Sequence, residues 1–166
     1  MHCTSLRSQK RGVYHIDWSS SVMSSTFRAV NLRPDLVNAC LKAATSLVIT
    51  HQQVVLVKST VCNYAAIDAI VMMPVGNASV VAYLLQPTVA DSHHYTGNKK
   101  NTQSQQLMDA LGGLGVEVCS LVFITKLFQS KPQVVPIAFS QLPQFVWKVG
   151  LGHAYVLVVT LTCWLL

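Results

Sequence analysis

The carboxyl-terminal segment 149–166 restricts the fold of this chain more than any other part of its sequence. It reads VGLGHAYVLVVTLTCWLL and contains no Asp, Glu, Lys or Arg. As an α-helix its 18 residues would span about 27 Å, slightly less than a hydrocarbon core of about 30 Å, with Lys148 and Trp164 at the boundaries. As a strand it would have an apolar face from Tyr155 to Leu165 and a mostly β-branched face opposite. The pattern favours a buried or half-buried last strand; a membrane helix is the alternative, and a disordered or aggregating end is the third option.

Formal charge is scarce in this chain and unevenly distributed. Charged residues make up 11% of it, whereas ordinary soluble domains contain about 25%. A surface with so few charges is weakly solvated and favours association with a membrane, a partner or itself. Residues 1–33 contain a single acid, Asp17, among several basic residues. The predicted contacts to a nucleic acid or an anionic surface are these basic residues: Arg7, Lys10, Arg11, Arg28 and Arg33.

The amino-terminal region has the composition of a tail or a targeting segment. It lacks the apolar stretch of a secretory signal peptide, so we expect an intracellular protein. Its Ser and Arg content and its shortage of acids are typical of a mitochondrial transit peptide, but Asp17 and the lack of a clear basic amphipathic stripe favour a disordered basic tail. We therefore expect a basic tail or targeting segment over 1–33 and a single domain over 34–166.

Hydrophobic periodicity predicts a mixed α/β domain of about five short strands and two to three helices, with an irregular basic N-terminus. Apolar residues at helical spacing predict a helix over 35–48. Short β-branched runs predict strands at 54–62, 79–85 and 116–125, while 63–73 fits either helix or strand. The remaining segments are predicted as a polar loop over 88–106, a short helix capped by Ser104 and ending at Leu111, and a short edge strand over 134–139. The alternative fold is a small α-helical protein with a C-terminal membrane helix.

No pattern of residues indicates catalysis, a metal or a cofactor. The five cysteines are widely separated and form no Cys-x-x-Cys pair, and the six carboxylates are scattered along the chain. His93 and His94 have no companion ligands at a recognisable spacing, and the stretch from Gly97 to Thr102 lacks the first glycine of a phosphate-binding loop. We therefore predict no catalytic residue, no metal ligand and no cofactor, and the sequence disfavours an enzyme.

The sparse charge leads to the functional hypothesis. We expect a small non-enzymatic protein that acts by association with a membrane or a larger assembly. The alternative is a nucleic-acid-binding module that uses the basic N-terminal region. No small-molecule substrate is indicated.

Overall fold

The structure, a computed structural model, describes residues 28–88, 97–125 and 134–148. These residues form a six-stranded sheet with two α-helices and a 3-10 helix. The strands are β1 (Arg28–Leu32), β2 (Val55–Ser59), β3 (Ala69–Val75), β4 (Ser79–Thr88), β5 (Val116–Thr125) and β6 (Gln144–Lys148). The helices are α1 (Val37–His51) and α2 (Asn98–Gly113), and the 3-10 helix spans Ile137–Phe139.

The strands lie side by side in the order in which they occur in the chain. β3 runs antiparallel to β2 and β4, and every other neighbouring pair is parallel. Five strands therefore point the same way, and their carboxyl ends lie at one edge of the sheet. β3 begins at this edge, which we call the carboxyl edge.

The connections between parallel strands decide which face of the sheet is covered. α1 joins β1 to β2, and α2 joins β4 to β5, so both connections advance in the same direction across the sheet. Because such crossovers are almost always right-handed, both helices must lie on the same face. The structure agrees, since α1 packs against α2 and α2 packs against the 3-10 helix. We call this side the covered face.

The hydrophobic core lies between the helices and the covered face. One row across four strands joins Val57, Ile70, Leu84 and Leu121, and all four side chains are buried. The helical side of the core is formed by apolar residues at helical spacing: Leu41, Ala44 and Val48 of α1, Leu107 and Leu111 of α2, and Phe139 of the 3-10 helix.

A β-bulge interrupts the pairing of β4 with β5. Ala82 pairs with Val118, but its neighbour Tyr83 pairs with Ser120, so Cys119 is the extra residue of β5. The alternation of side chains along β5 therefore shifts by one position at Cys119.

α1 ends in a left-handed residue. Gln52 has φ of 52° at the C-cap, a conformation that usually selects glycine. Its side-chain Nε2 donates a hydrogen bond to the Ile49 carbonyl oxygen at 2.9 Å, which satisfies one carbonyl of the last turn.

The mixed α/β fold predicted from the sequence is confirmed. The helix predicted over 35–48 is α1, and the predicted strands at 54–62, 79–85 and 116–125 are β2, β4 and β5. The alternative of a small α-helical protein is not supported, because the described residues form six strands. Neither helix in the described ranges is long and apolar enough to cross a bilayer. Segment 149–166 lies outside the described residues.

Several boundaries differ from the prediction. The segment over 88–106 is not a loop throughout, because α2 begins at Asn98, and Ser104 lies buried inside α2 instead of capping it. Residues 134–139 contain the 3-10 helix and no strand, and the strand of this region is β6, which follows Pro143. Residues 28–32, which belong to the predicted irregular N-terminal segment, form β1.

Candidate functional site

A group of polar side chains lies at the carboxyl edge, where the ends of β2 and β4 meet the first turn of α2. Ligands of open α/β sheets usually bind outside the carboxyl ends of the strands, so this edge is a candidate binding site. We call the group the Asp68 cluster, and its members are Asn63, Asp68, Gln86, Lys100 and Gln103.

The loop between β2 and β3 has a tightly folded backbone. Asn63, Ala65 and Ala66 have positive φ values of 54°, 51° and 63°. A residue other than glycine held in such a conformation costs about 1–3 kcal/mol, and such residues concentrate at functional sites. The loop is nevertheless well packed, since Tyr64 and Ile67 are almost fully buried and the Ile67 N–H donates to the Tyr64 carbonyl oxygen at 2.9 Å.

Asp68 is at the centre of the cluster, immediately before β3. Its backbone N–H donates to the Leu85 carbonyl oxygen at 3.0 Å, which fixes it to the end of β4. Its carboxylate oxygen Oδ1 accepts a hydrogen bond from the Asn63 N–H at 2.7 Å. Its other oxygen, Oδ2, accepts one from Gln86 Nε2 at 3.3 Å. One carboxylate thus holds together the loop, β3 and β4.

Gln86 places an amide in the core beneath this carboxylate. The residue is 4% exposed, and it lies on the covered face two positions after Leu84. Its Nε2 donates both to Asp68 and to the Pro87 carbonyl oxygen at 3.1 Å, and these two partners only accept hydrogen bonds. These two acceptors therefore establish which end of the Gln86 amide is the nitrogen and which is the oxygen. Its Oε1 is buried and makes no hydrogen bond within the part of the chain that the structure describes.

Asn63 adds a second buried amide oxygen to the cluster. Its side-chain Oδ1 also lacks a hydrogen-bond partner among the described residues. A buried acceptor left without a partner costs about 1–3 kcal/mol, so two of them in residues that both donate to one carboxylate are unusual.

α2 brings two side chains to the cluster from the covered face. The Lys100 ammonium donates to the Asn63 backbone carbonyl oxygen. The Gln103 Oε1 accepts a hydrogen bond from the Ala65 N–H at 3.4 Å. Both contacts hold the strained loop against the first turns of α2.

The electrostatics of Lys100 reflect this position. Burial lowers the pKa of the Lys100 ammonium, and the neighbouring charge of Lys99 lowers it further. The carboxylate of Asp68 opposes both effects and raises the same pKa. The Lys100 ammonium therefore interacts electrostatically with Asp68, although its hydrogen bond goes to the backbone of Asn63.

The opposite side of the sheet is a second candidate surface. Apart from the buried Ala69, its apolar side chains on β2, β3 and β4 are half-buried or exposed, and they neither belong to the core nor pack against it. We call them the open face: Leu56, Val71, Met73, Val75, Val81 and Leu85. On β5 the same side continues with Val122 and Ile124, which are buried, 2% and 8% exposed.

Two of the predicted nucleic-acid or anionic-surface contacts, Arg28 and Arg33, fall within the described ranges, as does Lys148, a predicted membrane-segment boundary. Arg28 is exposed at the start of β1. Arg33 follows β1, and its guanidinium forms an ion pair with Asp35 at 2.7 Å. Lys148 is the last residue of β6. Within the described residues, neither Arg28 nor Arg33 is brought together with the Asp68 cluster.

The other predicted contacts, Arg7, Lys10 and Arg11, lie outside the described residues, as do the predicted membrane-segment boundary Trp164 and the histidines His93 and His94. Among the described residues, no three His, Cys, Asp or Glu side chains come close enough together to hold a metal ion.

Sequence reasoning missed the Asp68 cluster. Its members are spread from position 63 to position 103, and each is an ordinary polar residue in its own segment. The one available signal was Asp68 itself, a lone acid in an otherwise apolar stretch, where burial demands polar partners.

Comparisons with protein-family models, with curated proteins and with solved structures find no match to this chain.

Proposed function

We propose that this protein acts by association with other protein chains, and that the open face is the surface through which it associates. The observation that carries the proposal is the row of aliphatic side chains on β2, β3 and β4 that no described helix covers. Sheets with parallel pairs normally have both faces covered, so a layer is needed on this side. We propose that a second copy of the chain supplies it.

The charges on this side of the sheet favour a second copy. Lys58 and Glu117 point to the same side as the open face, since Lys58 lies in one row with Leu85, and Glu117 pairs with Val81. They carry opposite charges and lie at opposite corners of this side, Lys58 near the carboxyl edge of β2 and Glu117 at the start of β5. A surface with one charge of each sign at opposite corners is self-complementary in a two-fold dimer.

The geometry of the two charges fits a known mode of sheet packing. Lys58 and Glu117 are three strands apart, which is about 14 Å, and four residues apart along the strands, which is about 13 Å. The line that joins them therefore runs at about 45° to the strands. A two-fold axis that is parallel to the sheet and perpendicular to this line would pair each Lys58 with the other copy's Glu117. The strands of the two copies would then cross at about 90°, as in orthogonal sheet packing.

A membrane is a less suitable partner for this surface. Proteins that bind anionic lipid combine an apolar surface with an excess of Lys and Arg. On the open face the two flanking charges, Lys58 and Glu117, cancel. The open face has only six apolar side chains on β2, β3 and β4, whereas a standard interface has about 20–30 residues a side, so we expect reversible, concentration-dependent dimers.

Sedimentation equilibrium over a concentration series tests the proposal. The wild-type chain is expected to shift from monomer to dimer as its concentration rises. Met73→Glu places a charge in the open face and should keep the chain monomeric. Ile49→Glu on the exposed side of α1 is the matched control and should leave the dimer unchanged.

A charge exchange tests the predicted pairing. Lys58→Glu should weaken the dimer, and adding Glu117→Lys in the same chain should restore it. A wild-type chain that stays monomeric, or a dimer that Met73→Glu leaves intact, would overturn the proposal. Flotation of a monomeric wild type with anionic vesicles, lost in Met73→Glu, would assign the open face to a membrane instead.

Nucleic-acid binding through the basic N-terminal region stays a prediction. Because residues 28–32 form β1, the deletion that tests it should stop at residue 27 and leave the sheet complete. Retention on a polyanion that falls with salt, and is lost in this deletion, is the expected result. Equal retention by the two chains would contradict it.

A further inference from the structure

The Asp68 cluster contains more oxygen atoms than its own donors can satisfy. Gln86 Oε1 and Asn63 Oδ1 are both buried without hydrogen-bond partners among the described residues, and Gln86 Nε2 and the Asn63 backbone N–H each donate a hydrogen bond to the Asp68 carboxylate. The Lys100 ammonium is close by, but its hydrogen bond goes to the backbone carbonyl of Asn63 and to neither of these amide oxygens. A single species that attracts oxygen atoms would satisfy all of them together.

We propose that the Asp68 cluster binds a hard divalent cation, of which Ca²⁺ is the best match, through the Asp68 carboxylate and the side-chain oxygens of Gln86 and Asn63. Ca²⁺ is bound in proteins by carboxylate oxygens, by Asn and Gln side-chain oxygens, by backbone carbonyls and by water. All of these protein groups are present in the cluster. The absence of any group of three His, Cys, Asp or Glu among the described residues argues against zinc, which prefers nitrogen and sulfur ligands.

Gln86 distinguishes the Asp68 cluster from an ordinary loop that contains a single carboxylate. It is 4% exposed, and its amide orientation is fixed because Nε2 donates to two groups that only accept. Its Oε1 stays buried without a partner among the described residues, while Nε2 of the same amide contacts the Asp68 carboxylate. The contacts from Lys100 and Gln103 hold the strained loop next to this carboxylate.

Lys100 sets the expected strength of binding. A site with one carboxylate and a neighbouring ammonium carries no net negative charge, and Ca²⁺ affinity depends on the number of charged ligands. We therefore expect a dissociation constant of about 10⁻⁴–10⁻³ M for Ca²⁺. Lys100 and the cation compete for the same carboxylate, so removal of the ammonium should strengthen cation binding.

Calorimetric titration of the full chain with CaCl₂, together with its thermal unfolding midpoint, tests the proposal. Wild type should bind one Ca²⁺ and its midpoint should rise with CaCl₂ concentration. Gln86→Glu supplies a second carboxylate and should bind about tenfold more tightly. Lys100→Met should also bind more tightly than wild type, whereas Asp68→Asn should not bind.

The matched control is Asp109→Asn, since Asp109 is an exposed acid on α2 that accepts a hydrogen bond from Gln105. This variant should bind Ca²⁺ as wild type does. If Asp68→Asn does not fold, Gln86→Glu and Lys100→Met still decide the question. Absence of binding in wild type and in Gln86→Glu would overturn the proposal and leave water as the partner of the two amide oxygens. Equal affinity in wild type, Gln86→Glu and Lys100→Met would place the cation elsewhere.

Discussion

The two faces of the sheet have similar chemistry but different surroundings. On the covered face, Val57, Ile70 and Leu84 form a continuous buried row beneath α1 and α2. On the open face, the next row contains Leu56 and Val71, which are equally aliphatic and only half-buried. The difference comes from the connections between strands, because right-handed crossovers between strands of the same direction all lie on one side. Both faces are therefore apolar enough to be buried, but the connections between strands place helices on only one of them.

A matched pair of neighbouring leucines measures this difference most directly. Leu84→Ala removes a fully buried side chain from the core and should lower the free energy of unfolding by about 2–5 kcal/mol. Leu85→Ala, one position later on the open face, should cost about 1 kcal/mol, because less apolar surface is lost. Urea unfolding of a monomeric background such as Met73→Glu measures both values. Equal losses would mean that the two faces are packed alike within one chain.

A substitution at the end of α1 should strengthen the covering layer without affecting the open face. Gln52 has a positive φ, so Gln52→Gly should raise the free energy of unfolding by about 1 kcal/mol through relief of backbone strain. Loss of the side-chain hydrogen bond to the Ile49 carbonyl oxygen should offset part of this gain. Gln53→Gly, at the next position with an ordinary φ, is the control and should destabilise the chain slightly. Urea unfolding measures both, and the monomer–dimer equilibrium should stay as in wild type. A stabilisation of the same size in both variants would contradict the conformational explanation.

The smallest expected effect is an alkaline pH dependence at the carboxyl edge. Burial lowers the pKa of Lys100 in the folded chain below its ordinary value of 10.5. Between the two pKa values the unfolded chain binds more protons, so Lys100 makes stability rise with pH in that window. Burial raises the pKa of Tyr64 above 10.0, and this acts in the opposite direction above that pH.

Comparison of two chains isolates the contribution of Lys100. The free energy of unfolding of wild type minus that of Lys100→Met should increase as the pH rises towards 10.5, since both chains keep Tyr64. Unfolding in urea across an alkaline pH series provides this difference. A difference that stays constant with pH would show that the ammonium is equally solvated in the folded and unfolded chains.

Elements with a strong apolar pattern could be predicted from the sequence, and the others could not. α1 repeats apolar residues at the spacing of a helix, and β5 is a run of mostly apolar, partly β-branched residues of strand length. The first turns of α2 are polar from Asn98 to Gln106, so they resemble a loop, and the helix forms there because Leu107 and Leu111 anchor its second half in the core. β6 is short and follows a proline, and its position depends on pairing with β5, a tertiary contact that local patterns do not contain.

The Asp68 cluster could not be predicted because long-range contacts create it. Asp68 and Gln86 meet only when β3 and β4 pair, and Lys100 reaches Asn63 only when α2 packs on the sheet. The left-handed conformation of Ala65 and Ala66 has no local signal either, since alanine disfavours it. Packing of the loop against its neighbours overrides that local preference.

The β-bulge at Cys119 determines which of the alternating side chains of β5 point into the core. After the bulge, Leu121 and Phe123 point to the covered face, and Val122 and Ile124 point away from it. A slip of one residue would exchange the two pairs, and each side would still be aliphatic or aromatic. Hydrophobic patterning is therefore nearly indifferent to the register of this strand. The volumes of the residues that fill the core beneath α2, and the one extra residue at position 119, keep the strand from sliding.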